Sequence, residues 1–174
     1  MAARPGWINQ VKALWLSYRH TNGVHGRKLE LDHLLGQYGI NICLLTETHL
    51  KSGEAFRMEN YVYHRTNRLT EGGGTPVHGL KHLETTAIRV MLASKPVKIM
   101  EVYLLPSQLL RASDLSASLG GGLCTLMAGD LNTKHVHWNS RLITTRGGLL
   151  HDYADENSCL IYAKVIIPGC YILK

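Results

Sequence analysis

Asp130 and Asn132 stand two residues apart, where an apolar run from Leu123 to Ala128 gives way to Gly129-Asp130-Leu131-Asn132. A carboxylate at the C-terminal edge of a buried strand has little packing reason to be there, because an Asp is rarely buried unless something pairs with it. Glu47 leaves a second apolar run, Ile40 to Leu45, through Thr46-Glu47-Thr48-His49. Open sheets gather their sites at such strand ends. Hard oxygen ligands suit Mg²⁺, which keeps several waters and takes only one or two protein carboxylates. On this basis Glu47 is a metal ligand and Asp130 orients or deprotonates an attacking water. Asn132 fixes that water and donates to a phosphate oxygen, and Tyr103 adds a phenolic donor. Taken singly, a strand-end Glu, a Tyr facing a core and an Asp-Asn turn also have purely structural explanations.

The histidines offer a competing idea. His135 and His137, joined by His20 or His49, would give zinc its imidazoles, but an H-x-H spacing with no Cys or third His in register is poor support. Trp138 reads as a packing anchor. Lys134 and Arg141 read as a solvated, DNA-facing rim.

The elements that must position these residues follow from apolar periodicity. Ala13 to Tyr18 reads as a strand, followed by a turn at His20-Thr21-Asn22-Gly23. From Arg27 to Tyr38 a stripe of Leu31, Leu34, Leu35 and Tyr38 predicts a helix, with Gly39 where a C′ glycine belongs. Ile40 to Leu45 is the next strand. Glu59 to Asn67 is aromatic and basic, and the glycine run 72–74 after it lacks the Lys and Ser/Thr of a phosphate loop. Thr85 to Leu92 and Val97 to Leu105 alternate like half-buried strands, the second placing Val97, Ile99, Glu101 and Tyr103 on one face. A hairpin through Lys95-Pro96 would join them. Ala112 to Leu119 predicts a helix. Leu149, Leu150, Tyr153 and Ala154 predict another that ends near Asn157, and Cys159 to Ile167 a last strand. Strands and helices in this order imply a layered α/β or α+β domain.

A chain of 174 residues is long enough for one domain with a sizeable core. Nineteen Lys and Arg against 13 Asp and Glu give a net charge of +6, with ten histidines besides, which favours a polyanionic partner, nucleic acid first. Cys43, Cys124, Cys159 and Cys170 form no C-x-x-C pair and read as buried free thiols. Neither a signal peptide nor an apolar run of membrane-spanning length appears, so the default location is cytoplasmic or nuclear, with no membrane partner.

Taken together, several segments resemble the endonuclease/exonuclease/phosphatase superfamily, specifically the apurinic-endonuclease-like domain of jockey-type non-LTR retrotransposons. They are Asn22-Gly23-Val24 with Gly26-Arg27-Lys28-Leu29, INICLLTETHL at 40–50, YVYHRTNR at 61–68, GGGT at 72–75 and LETTAIRV at 83–90. Val102-Tyr103-Leu104 with Pro106-Ser107, and AGDLNTKHVHWNSR with Arg146-Gly147, complete the set. The resemblance implies a four-layered α/β sandwich of two mixed sheets with helices outside, and Mg²⁺-dependent nicking of DNA for target-primed reverse transcription, with Mn²⁺ as the alternative ion. It also implies the element's own reverse transcriptase as a partner. Glu47 looks like the family's metal-binding Glu, Tyr103 its active-site Tyr, Asp130 its catalytic Asp and Asn132 that residue's partner. Asn22 looks like the second Asn of a W-N-x-N-G opening and would support the site, while Lys134, His135 and Arg141 would face DNA.

Departures from the family accompany these matches. Arg19-His20 stands where the family has W-N, so His20 replaces a metal-site Asn. Only TPVHGLKH joins Gly74 to Leu83, as if a hairpin were deleted and a sheet edge left uncovered. No Asp or His follows Asp155 and His151, so the family's C-terminal Asp and Ser-Asp-His motifs have no counterpart. The expected organisation is an N-terminal extension at 1–12, a partial endonuclease/exonuclease/phosphatase domain at 13–167 without its C-terminal strands, and a divergent tail at 168–174. Exposed apolar sheet surface would make such a chain prone to aggregate. The expected function is a catalytically impaired DNA endonuclease, with a degenerate, non-catalytic nucleic-acid-binding remnant as the alternative. A phosphatase or sphingomyelinase of the same superfamily is disfavoured by KHVHWNSR.

Overall fold

The computed structural model describes residues 14–51, 53–65, 80, 83–163 and 170–173. Within them the chain forms β1 (Leu16–His20), α1 (Lys28–Tyr38), β2 (Ile42–Thr46), β3 (Leu83–Leu92), β4 (Lys95–Leu104) and α2 (Ala112–Leu119). It continues as β5 (Cys124–Asp130), α3 (Thr145–Glu156), β6 (Leu160–Ala163) and β7 (Cys170–Leu173). The expected extension at 1–12, the glycine run 72–74, most of the short join 75–82 and the stretch 164–167 lie outside the described residues.

Four layers result, as expected, and strand alternation explains them. β1 and β2 pair in parallel, with α1 as their crossover. The outward residues of this unit close a small core of Val24, Leu31 and Phe56 with Leu45, Leu50, Met58 and Tyr63. Tyr18 and Leu44 point the other way and meet Ile99 and Ala128 of the second sheet. That sheet is mixed, in the order β3-β4-β5-β7-β6, with β4 and β5 parallel and the other neighbours antiparallel. Its opposite face carries Met100, Val102, Leu104 and Met127, which pack under Leu115 and Leu119 of α2 and Leu150, Tyr153 and Ala154 of α3. Lys98, on this helix side of β4, reaches the C-terminal carbonyls of Ser118 and Gly120, where a cation suits the last turn of α2.

Several expectations need adjustment. The turn between β3 and β4 falls on Ala93-Ser94, not Lys95-Pro96. Both turn residues have positive φ, 46° and 67°, as a two-residue hairpin of matching twist requires. Pro96 is already in β4, opposite Met91. Tyr38 ends the predicted stripe of α1 but is 60% exposed. β5 runs through to Asp130, two residues beyond the apolar run. Cys124, expected to be buried, is exposed at the start of β5, whereas Cys159 is buried. Cys43 is partly covered, and its thiol is pushed up to about 11 chiefly by burial. Residues 170–173, in the stretch read as a divergent tail, form β7 between β5 and β6.

The inter-sheet face is thinly covered, because the described part of the first sheet is two strands wide. Ile88, Val90, Val97 and Leu126 pack against it only partly buried. Glu101 lies on this face by alternation. Burial, with the charge of Glu84 second, pushes its carboxyl from 4.5 up to about 8.

Two predictions follow from this packing. The folded chain holds the Glu101 proton that the unfolded chain releases above about 4.5, so its contribution to stability is complete below that pH and is lost as pH rises towards 8. Denaturant melts from about pH 5 to 8 should therefore show falling stability in the wild type and a flatter profile for Glu101→Gln. Ser94→Gly, which relieves a positive φ of 67°, should stabilise the hairpin by roughly 0.5–1 kcal/mol, measured by the shift in denaturation midpoint.

Candidate active site at the strand ends

β2, β4 and β5 finish at one edge of the sandwich, and polar residues replace apolar ones there. After Thr46 the backbone of Glu47 turns left-handed, with φ 49°. The loop after β1 clamps it. Thr21 donates from its N–H to the Thr46 carbonyl at 3.1 Å, and from its hydroxyl to the carbonyls of Thr46 and Glu47 at 2.8 and 3.0 Å. Gly23 N–H donates to the Glu47 carbonyl at 2.8 Å, and Val24 N–H to that of Thr48 at 3.0 Å. The buried Tyr18 hydroxyl pairs with Thr46 Oγ1 at 2.9 Å, fixing the strand end from below. Left-handed backbone at a non-glycine residue costs on the order of 1–3 kcal/mol and persists only where its surroundings over-determine it. Asn22, Glu47, His49 and Asn132 all carry it here, with φ between 46° and 54°.

The Glu47 carboxylate is engaged at both oxygens. Tyr103, from the end of β4, donates its hydroxyl to Oε1 at 2.9 Å. His20 Nε2 lies 3.1 Å from Oε2, and His49 Nε2 lies 4.0 Å from it. Tyr103 in turn sits opposite Asp130 in the parallel β4–β5 ladder and opposite Glu84 of β3. Burial, the bond to Glu47 and the charges of Glu47, Asp130 and Glu84 push the phenol up to about 12, so it is a protonated donor at neutral pH. Asp130 Oδ1 accepts from the Asn132 N–H at 2.8 Å. The Asn132 carboxamide donates to the Leu104 carbonyl at 2.8 Å, joining the ends of β4 and β5.

A second tier holds the loop that leaves Asn132. Arg146, in the first turn of α3, donates to the carbonyls of Asn132 and Pro106. Thr144 caps α3 by accepting from Gly147 N–H at 3.1 Å, and it also accepts from Lys134 N–H at 3.1 Å. Helix and loop approach so closely that a Cβ on Gly147 would lie 1.9 Å from the Lys134 carbonyl oxygen.

Glu47, Tyr103, Asp130 and Asn132 are thus brought together. Asn22 is exposed, in the turn that clamps Glu47. Lys134 and Arg141 are exposed. His135 is not: it is 7% exposed and stacks on His151, so its ring is not offered to solvent as expected. His20 and His49 lie at Glu47 and not with His135 and His137, so the zinc grouping disfavoured on sequence does not form. Sequence reasoning missed Thr21, Glu84 and Arg146 as site residues. Arg146 was already in view beside Gly147, but its reach to Asn132 depends on the docking of α3.

The sequence pattern of the Endonuclease/Exonuclease/phosphatase family matches residues 14–170, nearly the whole chain. The chain belongs to that family. Within it, the chain is similar to the RNA-directed DNA polymerase from mobile element jockey of Drosophila funebris. The two are 27% identical over 168 residues, which cover 86% of this chain and 18% of that protein. The chain therefore spans under a fifth of that relative's length. Its fold matches the solved endonuclease domain of TRAS1, a telomere-specific non-LTR retrotransposon, with a TM-score of 0.63 at 14% identity. That match covers 89% of this chain and 82% of the TRAS1 domain. The four-layered sandwich that the resemblance implied is thus the fold of this chain.

Two adjacent glycines test the second tier. Gly147→Ala should destabilise by more than about 3 kcal/mol, because backbone stands where the methyl must go. Gly148→Ala meets nothing within 4 Å and should be neutral or stabilising by up to about 1 kcal/mol through helix propensity. Thermal melts of the two variants distinguish these outcomes.

Proposed function

We propose that the strand-end site is a Mg²⁺-dependent phosphodiesterase that nicks DNA, working at a reduced rate in this chain. The observation that carries this reading is the placement of Tyr103, hydrogen-bonded to Glu47 and paired beside Asp130 in the ladder, so that carboxylates from two sheets flank one phenol.

The donor set fits Mg²⁺ or Mn²⁺: a carboxylate oxygen at a polar, part-exposed strand end, where solvent supplies the waters such an ion keeps. Glu47 would hold the ion, which when bound supplies positive charge to the phosphate and acidifies water. Asp130 holds the attacking water and takes its proton, since one oxygen is committed to Asn132 N–H and the second is left to accept. Asn132 keeps that carboxylate aimed. Tyr103, which stays protonated, turns its hydroxyl from Glu47 to a phosphate oxygen.

The reduced rate rests on His20. Its Nε2 meets the Glu47 oxygen that an ion would use, at 3.1 Å, where the resembled family has a carboxamide. A DNA substrate is supported by the net charge of +6, the exposed Lys134 and Arg141, and the likeness to retrotransposon proteins. The element's reverse transcriptase is the proposed partner, because the chain aligns with a fraction of a much longer RNA-directed DNA polymerase. Among the described residues no helix is long and apolar enough to cross a membrane.

Supercoiled-plasmid nicking tests the reading. Mg²⁺ should support nicking that EDTA abolishes, and Glu47→Ala and Asp130→Ala should each lower the rate by about 10²-fold or more. His20→Asn should lower the Mg²⁺ concentration needed for half-maximal nicking. A folded sample that binds DNA in a salt-dependent way without nicking it would replace this reading with that of a non-catalytic nucleic-acid-binding remnant.

A further inference from the structure

Three histidines that the chemistry above leaves unused meet on the helix side of the loop after β5. His135 and His137 bracket the start of a short 3-10 turn, Val136–Trp138, and His151 comes from the middle of α3. The His135 ring stacks on His151 with centroids 4.3 Å apart, and the His137 ring lies 4.4 Å from His151 and 5.0 Å from His135. One ring nitrogen from each lies within 4.8 Å of the other two. His137 Nδ1 and His151 Nε2 face each other directly. The two nitrogens share one proton in a hydrogen bond.

A second feature fixes how His151 is used. Its other nitrogen, Nδ1, faces Asp152 Oδ1 at 3.5 Å and Asp155 Oδ2 at 3.7 Å. Those carboxylates favour the proton on Nδ1 and leave the Nε2 lone pair aimed at His137. Metal-binding histidines are oriented this way, with the far ring N–H given to a carboxylate. His135, 7% exposed, supplies the third imidazole. Its Nδ1 accepts from His137 N–H at 3.3 Å, a long bond. Ligation through either ring nitrogen ends that bond, since the other nitrogen must then carry the proton, and the loss is small at this length.

We propose that His135, His137 and His151 form a binding site for Zn²⁺ or a similar first-row divalent ion, separate from the Glu47–Asp130 site. Imidazole donors select such ions over Mg²⁺. Zinc–nitrogen bonds of about 2.0–2.1 Å in tetrahedral array need donors about 3.3 Å apart, closer than the 4.8 Å limit here. The His137 and His151 nitrogens, in hydrogen-bond contact, are already nearer than that, so the exposed His137 side chain rotates to admit the ion and exchanges this bond for ligation. The fourth position opens on a cavity of about 170 Å³ whose lining includes His137, Trp138, His151 and Asp155, so water completes the shell. The ion would tie α3 to the loop that starts at Asn132. It is thus a structural clamp behind the active site, and it stands whether or not the strand ends cleave DNA.

The test is titration of the chelator-stripped full chain with Zn²⁺ alone by calorimetry, and with Co²⁺ by visible absorption. One equivalent should bind, give tetrahedral Co²⁺ bands and raise the melting temperature. His137→Ala and His151→Ala should each weaken binding by about 100-fold or more, and Asp155→Asn by about tenfold. Glu47→Ala should leave zinc binding unchanged. His137 is exposed, so its variant should keep the wild-type circular dichroism, which separates lost ligation from lost folding. A folded wild type that takes up no stoichiometric zinc, or zinc that binds equally well to both histidine variants, would overturn the proposal.

Discussion

The hydrogen bond from the Tyr103 hydroxyl to Glu47 Oε1 joins residues 56 apart in sequence, and it is made across two sheets. It can form only if β2 and β4 end at the same level, which the packing of Tyr18 and Leu44 against Ile99 and Ala128 imposes. The parallel β4–β5 register then sets Asp130 beside Tyr103. That register requires very close approach at Gly129, where a Cβ would lie 1.7 Å from the Val102 carbonyl oxygen. A glycine immediately before the acidic residue is therefore a packing requirement that also aims the chemistry.

The polar edge is costly to build, and the fold compensates locally. Glu47 and Asn132 adopt left-handed backbone, and each is over-determined by hydrogen bonds from another element: the Thr21–Val24 turn for the first, Leu104 and Arg146 for the second. The buried Tyr18–Thr46 pair satisfies two hydroxyls beneath the site, where an unmatched one would cost about 1–3 kcal/mol. Between the sheets the compensation is weaker. Apolar residues of β3 and β4 are only partly covered, and the half-buried Glu101 carboxyl is pushed up to about 8. Stability and site are thus supplied by different regions, the helix-side core by α2 and α3 and the strand-end geometry by clamps.

Much of this was legible in the residues. Asp130, Glu47 and Tyr103 stand out because polar groups close apolar runs, and alternation alone places Glu101 and Tyr103 on one face of β4. The hairpin was misplaced because Pro96 looked like a turn former, yet Pro96 lies at the start of β4, before pairing with β5 begins at Val97, where a missing N–H is tolerated, while the twist of the pair demanded two left-handed residues at Ala93-Ser94. The exposure of Cys124 was missed because an apolar run says nothing about which end of a strand reaches the surface.

Sequence by itself determined the family, the order of strands and helices, and which polar residues close the strands, because these depend on local periodicity and on residue types at fixed spacing. Only the tertiary structure decided which of those residues meet. It brought His20 to Glu47 and His151 to His135 and His137, contacts whose members lie 14 to 27 residues apart. The physical reason is that a contact across layers is set by how elements dock, through helix axis, strand register and glycine-permitted approach. None of these leaves a periodic trace in the chain.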